Sequence, residues 1–261
     1  MLPATPIITL GAPLIELPSI DSTNIYAMEQ IKAGKAISGS CYNTPFQTHG
    51  KGQHGRIWES EKGQNLLCSY VLELKSLNPS KNWGPEDQKG LSAAVAIGAK
   101  AFFGTHAGEE TLIKLPNDIY WRDRKAAGIL IENSFRGSNW QWSIAGMGVN
   151  INQTEFGTQL VRPVSLKQIT GQHFLVSDLA RELCSFLEAA LEIYLSGGPD
   201  AIVSLYNNAL YKKGESVTLE IAEQTIDAII CGVLPNGFLE IENENGTKEA
   251  HALGAVKWIL K

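Results

Sequence analysis

A glycine-rich, cationic segment at residues 47–58 carries the densest set of reactive groups in the chain, and it reads QTHGKGQHGRIW. Its glycines let the backbone approach a ligand closely and direct N–H groups toward it. Lys51 and Arg56 add positive charge. These features predict a loop that binds a phosphate or carboxylate group. A solvated surface loop of the same composition is the alternative, and the spacing is not that of a Walker A loop.

A second segment, at residues 114–121, reads KLPNDIYW and places polar groups between two apolar stretches. Pro116 interrupts the first stretch, and Asn117 followed by Asp118 favours a turn. The oxygen atoms of Asp118 are of the kind that Mg²⁺ prefers. Asp118 is therefore a candidate ligand for a magnesium ion. A turn that only satisfies its own backbone groups is the alternative, and the segment taken alone favours it.

Two further segments place a polar side chain beside small residues. Lys125 lies in RKAAGILIE, at residues 124–132, where a rigid strand would hold its ammonium group as a point charge for an anionic oxygen. Asn150 follows the glycines of GMGVNIN, at residues 146–152, and such glycines admit a ligand or a neighbouring backbone. A solvated lysine at a sheet edge and a strand bulge are the structural alternatives.

The composition is that of a globular protein with a sizeable core, because 44% of the 261 residues are hydrophobic and 19% are charged. The formal net charge of −5 disfavours a broad nucleic-acid-binding surface. The four cysteines are scattered without a CxxC pair. This argues against a zinc site or a disulfide framework and favours a reducing compartment.

The chain lacks an apolar run of the roughly 18 residues that a membrane helix needs. Its first residues do not show the basic and then apolar pattern of a secretion signal. We therefore predict a cytoplasmic protein without membrane association.

Hydrophobic periodicity predicts a mixed sheet with flanking helices. Helices are expected at residues 22–34, 86–103, 176–194 and 199–210. Extended segments are expected at residues 38–46, 65–74, 111–115, 118–121, 125–133 and 140–151. From about residue 212, short alternating segments separated by Pro-Asn-Gly and Asn-Gly turns are typical of a small β-barrel. We therefore predict two domains, at residues 1–211 and 212–261.

The order of these motifs resembles that of the biotin protein ligases. The chain presents Ser-Thr-Asn at residues 22–24, then GKGQHGR with a following tryptophan, KLPNDIYW, RKAAGILIE and GMGVNIN. The resemblance is dense over about residues 14–155 and extends by layout to the C-terminus. It implies an α/β (α+β) fold in which a class II aminoacyl-tRNA-synthetase-like catalytic domain precedes an SH3-like β-barrel.

The resemblance implies an ATP-dependent ligase with Mg²⁺ as its metal. In the first half-reaction, the carboxylate of biotin attacks the α-phosphate of ATP and gives biotinyl-5′-AMP and pyrophosphate. In the second, a lysine amine of a biotin carboxyl carrier protein domain, of acetyl-CoA carboxylase or another biotin-dependent carboxylase, attacks this mixed anhydride and releases AMP. Fixed positive charge must offset the repulsion between carboxylate and triphosphate.

The resemblance also assigns roles by position. Lys125, Lys51 and Arg56 are the expected catalytic residues. The expected biotin-binding residues are Ser22, Thr23, Asn24, Gln47, Lys51, Gly52, Gln53, Lys125 and Gly128. The expected ATP- and adenylate-binding residues are Gly50, Gly52, Gly55, Arg56, Trp58, Lys114, Asn117 and Asn150. Asp118 is the expected metal ligand.

The chain departs from the most studied form of the family in its glycine-rich loop, which reads GKGQHGR instead of GRGRRGR. Lys51 keeps the charge but loses the bidentate fork of arginine, and Gln53 removes a charge. Some members carry an N-terminal helix-turn-helix domain and act as repressors. Here about 14–20 residues precede the first motif, so we expect no DNA-binding role.

Two other functions remain as alternatives. A lipoate–protein ligase shares the fold and the adenylate chemistry, and competition between the two acids for adenylation would discriminate them. A non-catalytic protein that only binds biotin or its adenylate is the other, and an absence of ATP–pyrophosphate exchange would support it. The residue pattern is compatible with a monomer or a homodimer.

Overall fold

The computed structural model describes residues 8–158, 160 and 162–259, with the side chain of His54 excepted. In this part of the chain the helices are α1 Thr23–Lys32, α2 Leu74–Leu77, α3 Gln88–Ala107, α4 Leu166–Thr170 and α5 Val176–Asn208. The first seven strands are β1 Leu14–Glu16, β2 Cys41–Asn43, β3 Leu66–Glu73, β4 Thr111–Lys114, β5 Asp118–Trp121, β6 Arg124–Arg136 and β7 Asn139–Val149. The remaining strands are β8 Ser216–Ile221, β9 Gln224–Val233, β10 Phe238–Asn243, β11 Lys248–Ala252 and β12 Val256–Trp258.

The first seven strands form one mixed sheet in the order β1-β2-β3-β7-β6-β5-β4. β1 and β2 pair in parallel, and the other neighbours pair antiparallel. Strands β3, β7 and β6 lie at the centre, and the apolar residues of β3 and of the second half of β7 are buried on both faces of the sheet. This sheet with its flanking helices confirms the predicted fold class.

Helices α3 and α5 cover one face of the sheet, and α1 covers part of the other. Tyr70 of β3 lies in the large apolar core beneath α3 and α5. Its neighbour Val71 lies in a smaller core with Ala27 of α1. Because successive strand residues point to opposite faces, these two cores lie on opposite sides of the sheet. Ser69 shares the face of Val71, so the polar groups around it lie on the α1 side.

The close approach of α3 to α5 depends on glycine. A Cβ atom at Gly98 would lie 2.9 Å from Cα of Leu187 and 2.9 Å from the carbonyl oxygen of Phe186. These are backbone atoms, which cannot rotate out of the way. The two helices therefore pack with their backbones in contact at this point, and together they cover the apolar core on this face of the sheet.

The C-terminal strands form an antiparallel sheet in the order β11-β10-β9-β8-β12. Its edge strands β11 and β12 are not paired with one another among the described residues, so the sheet is open rather than a closed barrel. It joins the main body through Asn207, whose side chain hydrogen-bonds the backbone of Val233 in both directions, at 2.8 and 2.7 Å. The division at residues 211 and 212, between α5 and β8, stays a prediction.

Most predicted elements form, with corrections at their ends. The two helices predicted at residues 176–194 and 199–210 form α5, which Gly198 interrupts with a φ of 74°. Strand β6 extends to Arg136, past the predicted end at residue 133, because it pairs with β7 along its length. Strands β1 and β12 and helices α2 and α4 were not predicted, because three to five residues are too few to show a period. No helix of the described ranges is both long and apolar enough to cross a membrane.

We predict that Gly98→Ala destabilises the fold by about 1–3 kcal/mol, because the added methyl group forces α3 and α5 apart. Gly104→Ala in the same helix is the matched control, since its Cβ would make only an ordinary contact of 3.6 Å with Thr111. Alanine at that position should be neutral or stabilise by up to about 1 kcal/mol. Urea denaturation of both variants measures the difference, and equal midpoints would contradict the packing argument.

Candidate active site

A cleft of about 850 Å³ opens on the α1 side of the sheet. Its floor consists of three glycines on the central strands, Gly128 of β6 with Gly146 and Gly148 of β7. Of the predicted site residues, the structure brings the following together in its lining: Ser22, Thr23, Asn24, Gln47, Lys51, Gly52, Gln53, Arg56, Trp58, Lys114, Asn117, Asp118, Lys125, Gly128 and Asn150. Gly50 and Gly55 do not line it.

One end of the cleft is a network of buried polar groups. The side-chain oxygen of Gln47 accepts hydrogen bonds from the amide N–H of Thr23, at 2.8 Å, and from its hydroxyl group, at 3.1 Å. Ser69 Oγ lies 2.7 Å from Thr23 Oγ1 and donates to Asn24 Oδ1 at 2.6 Å. A Cβ at Gly146 would lie 2.1 Å from that same oxygen of Asn24. This end is therefore fixed in place and offers hydrogen-bonding groups within an apolar surround.

Residues 50–58 form a tight hairpin over the cleft. The N–H of Gly52 donates to the carbonyl of Arg56 at 2.7 Å, and the N–H of Trp58 donates to the carbonyl of Gly50 at 2.8 Å. A Cβ at Gly50 would lie 2.4 Å from the carbonyl oxygen of Trp58, and Gly55 has a φ of 75°. Gly50 and Gly55 thus shape the hairpin, which presents the side chains of the other residues to the cleft.

The indole ring of Trp58 lies across the glycine floor. A Cβ at Gly148 would lie 2.2 Å from the ring, and one at Gly128 would lie 2.9 Å from it. The ammonium nitrogen of Lys125 lies 5.7 Å from the ring centre. The indole N–H is buried, and the described residues supply no acceptor for it. The cleft therefore contains a flat apolar platform with an unused donor and a cation beside it.

The other end of the cleft concentrates positive charge. Lys125 Nζ lies 2.7 Å from Asp118 Oδ1. Lys114 is 9% exposed, and its ammonium group lies over the rings of Tyr120, at 5.5 Å, and Trp258, at 5.1 Å. Burial lowers the pKa of Lys114, with Lys125 and Arg56 acting in the same direction and Asp118 opposing them. Around Lys114, the carboxylate of Asp118 thus faces the three cations Lys114, Lys125 and Arg56, and an anionic ligand would add negative charge to this group.

The two asparagines predicted to contact a nucleotide also have structural roles. Asn150 Nδ2 donates to the carbonyl of Lys125 at 3.2 Å and to that of Val164 at 3.1 Å. The side chain of Asn117 donates to the carbonyl of Ile129. Their amide N–H groups therefore hold the first half of β6, and with it Lys125, in position.

The sequence did not single out several groups that the site uses. Ser69 was missed because the residues around it in β3 are apolar, although a polar side chain in such a strand is itself a sign of a specific role. Tyr120 lies in the KLPNDIYW motif, but no binding or catalytic role was predicted for it. Leu253, Gly254 and residues 256–258 also line the cleft, and no local pattern indicates this, because the contact depends on how the C-terminal sheet packs.

The fold and the cleft are those of an α/β protein whose candidate active site joins a polar pocket to a cationic end. The chain belongs to the biotin/lipoate A/B protein ligase family, whose model matches residues 16–150. This confirms the family that the motifs indicated.

Named relatives and solved structures agree with this family. The chain is 29% identical over 236 residues to the bifunctional ligase/repressor BirA of Escherichia coli, covering 90% of this chain and 70% of that protein. It is 29% identical over 133 residues to the biotin–[acetyl-CoA-carboxylase] ligase of Mycobacterium tuberculosis, covering 51% and 47%. The biotin protein ligase of Aquifex aeolicus in complex with biotin and ATP has the same fold, with a TM-score of 0.77, 22% identity and coverage of 95% and 99%.

We predict that Gly148→Ala expels the indole of Trp58 from the glycine floor, because the new methyl group would overlap the ring. Acrylamide should then quench the tryptophan fluorescence more strongly than in the wild-type protein. In a Trp58→Ala background the same glycine substitution should leave quenching by acrylamide unchanged, since no ring then overlies position 148 and Trp258, which also lines the cleft, packs against Lys114 and Tyr211. Increased quenching in both backgrounds would mean that the substitution loosens the whole fold.

Proposed function

We propose that this protein is a biotin–protein ligase that makes biotinyl-5′-AMP from biotin and ATP and transfers biotin to a lysine of a carrier protein domain. The observation that carries the proposal is that one cleft holds both a fixed polar pocket and a cluster of three cations, which flank its glycine floor. Membership of the biotin/lipoate ligase family and the names of the relatives support it.

The polar end suits the fused rings of biotin. The ureido group offers a carbonyl oxygen and two N–H groups, and Ser22, Thr23, Asn24 and Gln47 provide donors and acceptors at the pocket wall. Leu130 lines the same region and supplies apolar contact. The dithiolane ring of lipoate has no amide group, so it cannot make the hydrogen bonds that the ureido group can make with these side chains. The pocket therefore favours biotin over lipoate.

The cationic end suits the reacting groups of the first half-reaction. An oxygen of the biotin carboxylate attacks the α-phosphorus of ATP, the bond to the bridging oxygen breaks, and pyrophosphate leaves with that electron pair. Lys125, Lys51 and Arg56 reduce the repulsion between the two anions and stabilise the charge that develops on the phosphorus oxygens. Lys114 lies where it can contact the leaving pyrophosphate.

Two features of the cleft can contact the adenosine. The indole of Trp58 presents an apolar face on which an adenine ring can stack. Gly52 and Gln53 of the hairpin lie over the same region and exclude water from the mixed anhydride.

We place Mg²⁺ at Asp118, which offers a hard oxygen ligand. No cluster of three or more acidic, histidine or cysteine side chains suited to a metal occurs in the ranges that the structure describes. A single carboxylate fits the way Mg²⁺ binds with nucleotides, where phosphate oxygens and waters complete the coordination. When bound, the ion would neutralise charge on the triphosphate.

The acceptor is a biotin carboxyl carrier protein domain, whose lysine amine attacks the acyl carbon of the adenylate and releases AMP. The net charge of −5 supports a protein acceptor over a nucleic acid as the macromolecular partner.

We predict that Lys125→Ala lowers the rate of biotin-dependent ATP–pyrophosphate exchange by about a hundredfold or more, because one fixed charge at the reacting oxygens is lost. Biotin transfer to a purified carrier domain, with ATP and Mg²⁺, should fall in parallel on avidin blots. Lys248→Ala is the matched control, since that lysine pairs with Glu240 in the C-terminal sheet, outside the cleft.

Parallel reactions with lipoate test the choice of acid. Exchange driven by lipoate and not by biotin would replace the proposed substrate while keeping the chemistry. Biotin binding without any exchange in the wild-type protein would indicate a non-catalytic binding protein.

A further inference from the structure

Glu132 lies next to the cleft but outside its lining, and it contacts both the polar pocket and the hairpin. It is on β6 with Gly128 and Leu130, and alternate residues of a strand share a face. Its Oε2 atom accepts a hydrogen bond from Asn24 Nδ2 at 2.8 Å, and its Oε1 atom lies 3.5 Å from Lys51 Nζ. One carboxylate thus joins the asparagine of the acid-binding pocket to the lysine of the hairpin.

The contact with Asn24 fixes the orientation of that amide. Asn24 Nδ2 donates to Glu132 and to the carbonyl oxygen of Leu130, at 3.3 Å, while Oδ1 accepts from Ser69. With both donors and the acceptor engaged, rotating the amide by 180° would place donors against Ser69 and an oxygen against a carboxylate. Glu132 therefore determines which face of Asn24 a ligand meets.

The contact with Lys51 acts on the hairpin. The Lys51 side chain is 42% exposed, and its flexible four-carbon stem loses its position readily unless the ammonium group has a partner. Glu132 is anchored on a central strand by hydrogen bonds along β6 and β7. The carboxylate can thus hold the ammonium group over the cleft from a rigid element.

We propose that Glu132 is a positioning residue of this ligase, which holds the Lys51 ammonium group ready for the biotin carboxylate and the α-phosphate while it orients Asn24. It acts through these two residues and contacts neither substrate. The inference rests on the proposed function, because Lys51 has a catalytic task only if an acid is adenylated in the cleft.

Glu132→Gln separates the two contacts, because the amide oxygen still accepts from Asn24 but the charge facing Lys51 is lost. We expect kcat of biotin-dependent ATP–pyrophosphate exchange to fall about three- to tenfold, with KM for biotin within twofold of the wild-type value. Glu132→Ala removes both contacts, so KM for biotin should rise as well. Glu240→Gln is the matched control, since it breaks a half-exposed ion pair with Lys248 outside the cleft.

A double-substitution cycle tests whether the effect passes through Lys51. In a Lys51→Ala background, Glu132→Gln should change kcat by less than twofold. An equal loss in both backgrounds, or no loss in either, would overturn the proposal, because a merely structural carboxylate acts independently of Lys51.

Amide hydrogen exchange provides a readout that does not depend on activity. Glu132→Gln should accelerate exchange in residues 50–58 and leave strands β3 and β7 unchanged. If the wild-type protein lacks pyrophosphate exchange but the hairpin responds in this way, the proposed function fails and the positioning by Glu132 stands. An unchanged hairpin in an active enzyme would refute the positioning and leave the function intact.

Discussion

The absence of side chains at Gly128, Gly146 and Gly148 is the constraint on which the rest of the site depends. These glycines lie side by side on β6 and β7, where a methyl group would overlap Asn24 or Trp58. Their bare backbone lets α1 and the hairpin approach the sheet closely enough to form a cleft. Elsewhere on the same strands, large apolar side chains fill the space and form the core. The site is thus a part of the sheet surface that lacks large side chains, whereas the rest of that surface is packed.

Electrostatic balance is the second organising factor. Lys114, Lys125 and Arg56 converge around Asp118, and the ion pair of Lys125 with Asp118 reduces their mutual repulsion. Under the proposed function, a triphosphate would add negative charge to a group of cations that is already assembled. The cost of burying Lys114 is offset by the rings of Tyr120 and Trp258, which offer their negative faces to its ammonium group.

The C-terminal sheet takes part in this arrangement. Trp258 of β12 reaches the cleft, and its ring lies 5.9 Å from that of Tyr211, which in turn lies 5.3 Å from Tyr120. The same apolar core includes residues of both sheets. The cationic end of the cleft is therefore built jointly by the two parts of the chain, although the family model matches only residues 16–150.

The sequence by itself determined the family, the helices α3 and α5, the central strands and a set of site residues that all line the cleft apart from Gly50 and Gly55, because periodicity and the glycine, lysine and asparagine motifs are local signals. It did not determine which glycines face the cleft, since Gly50 and Gly55 shape the hairpin while Gly146 and Gly148 form the floor. The participation of Ser69, Glu132 and Trp258 in the site is likewise apparent only from the tertiary structure. Their partners are far away along the chain, and strand register and packing bring them together.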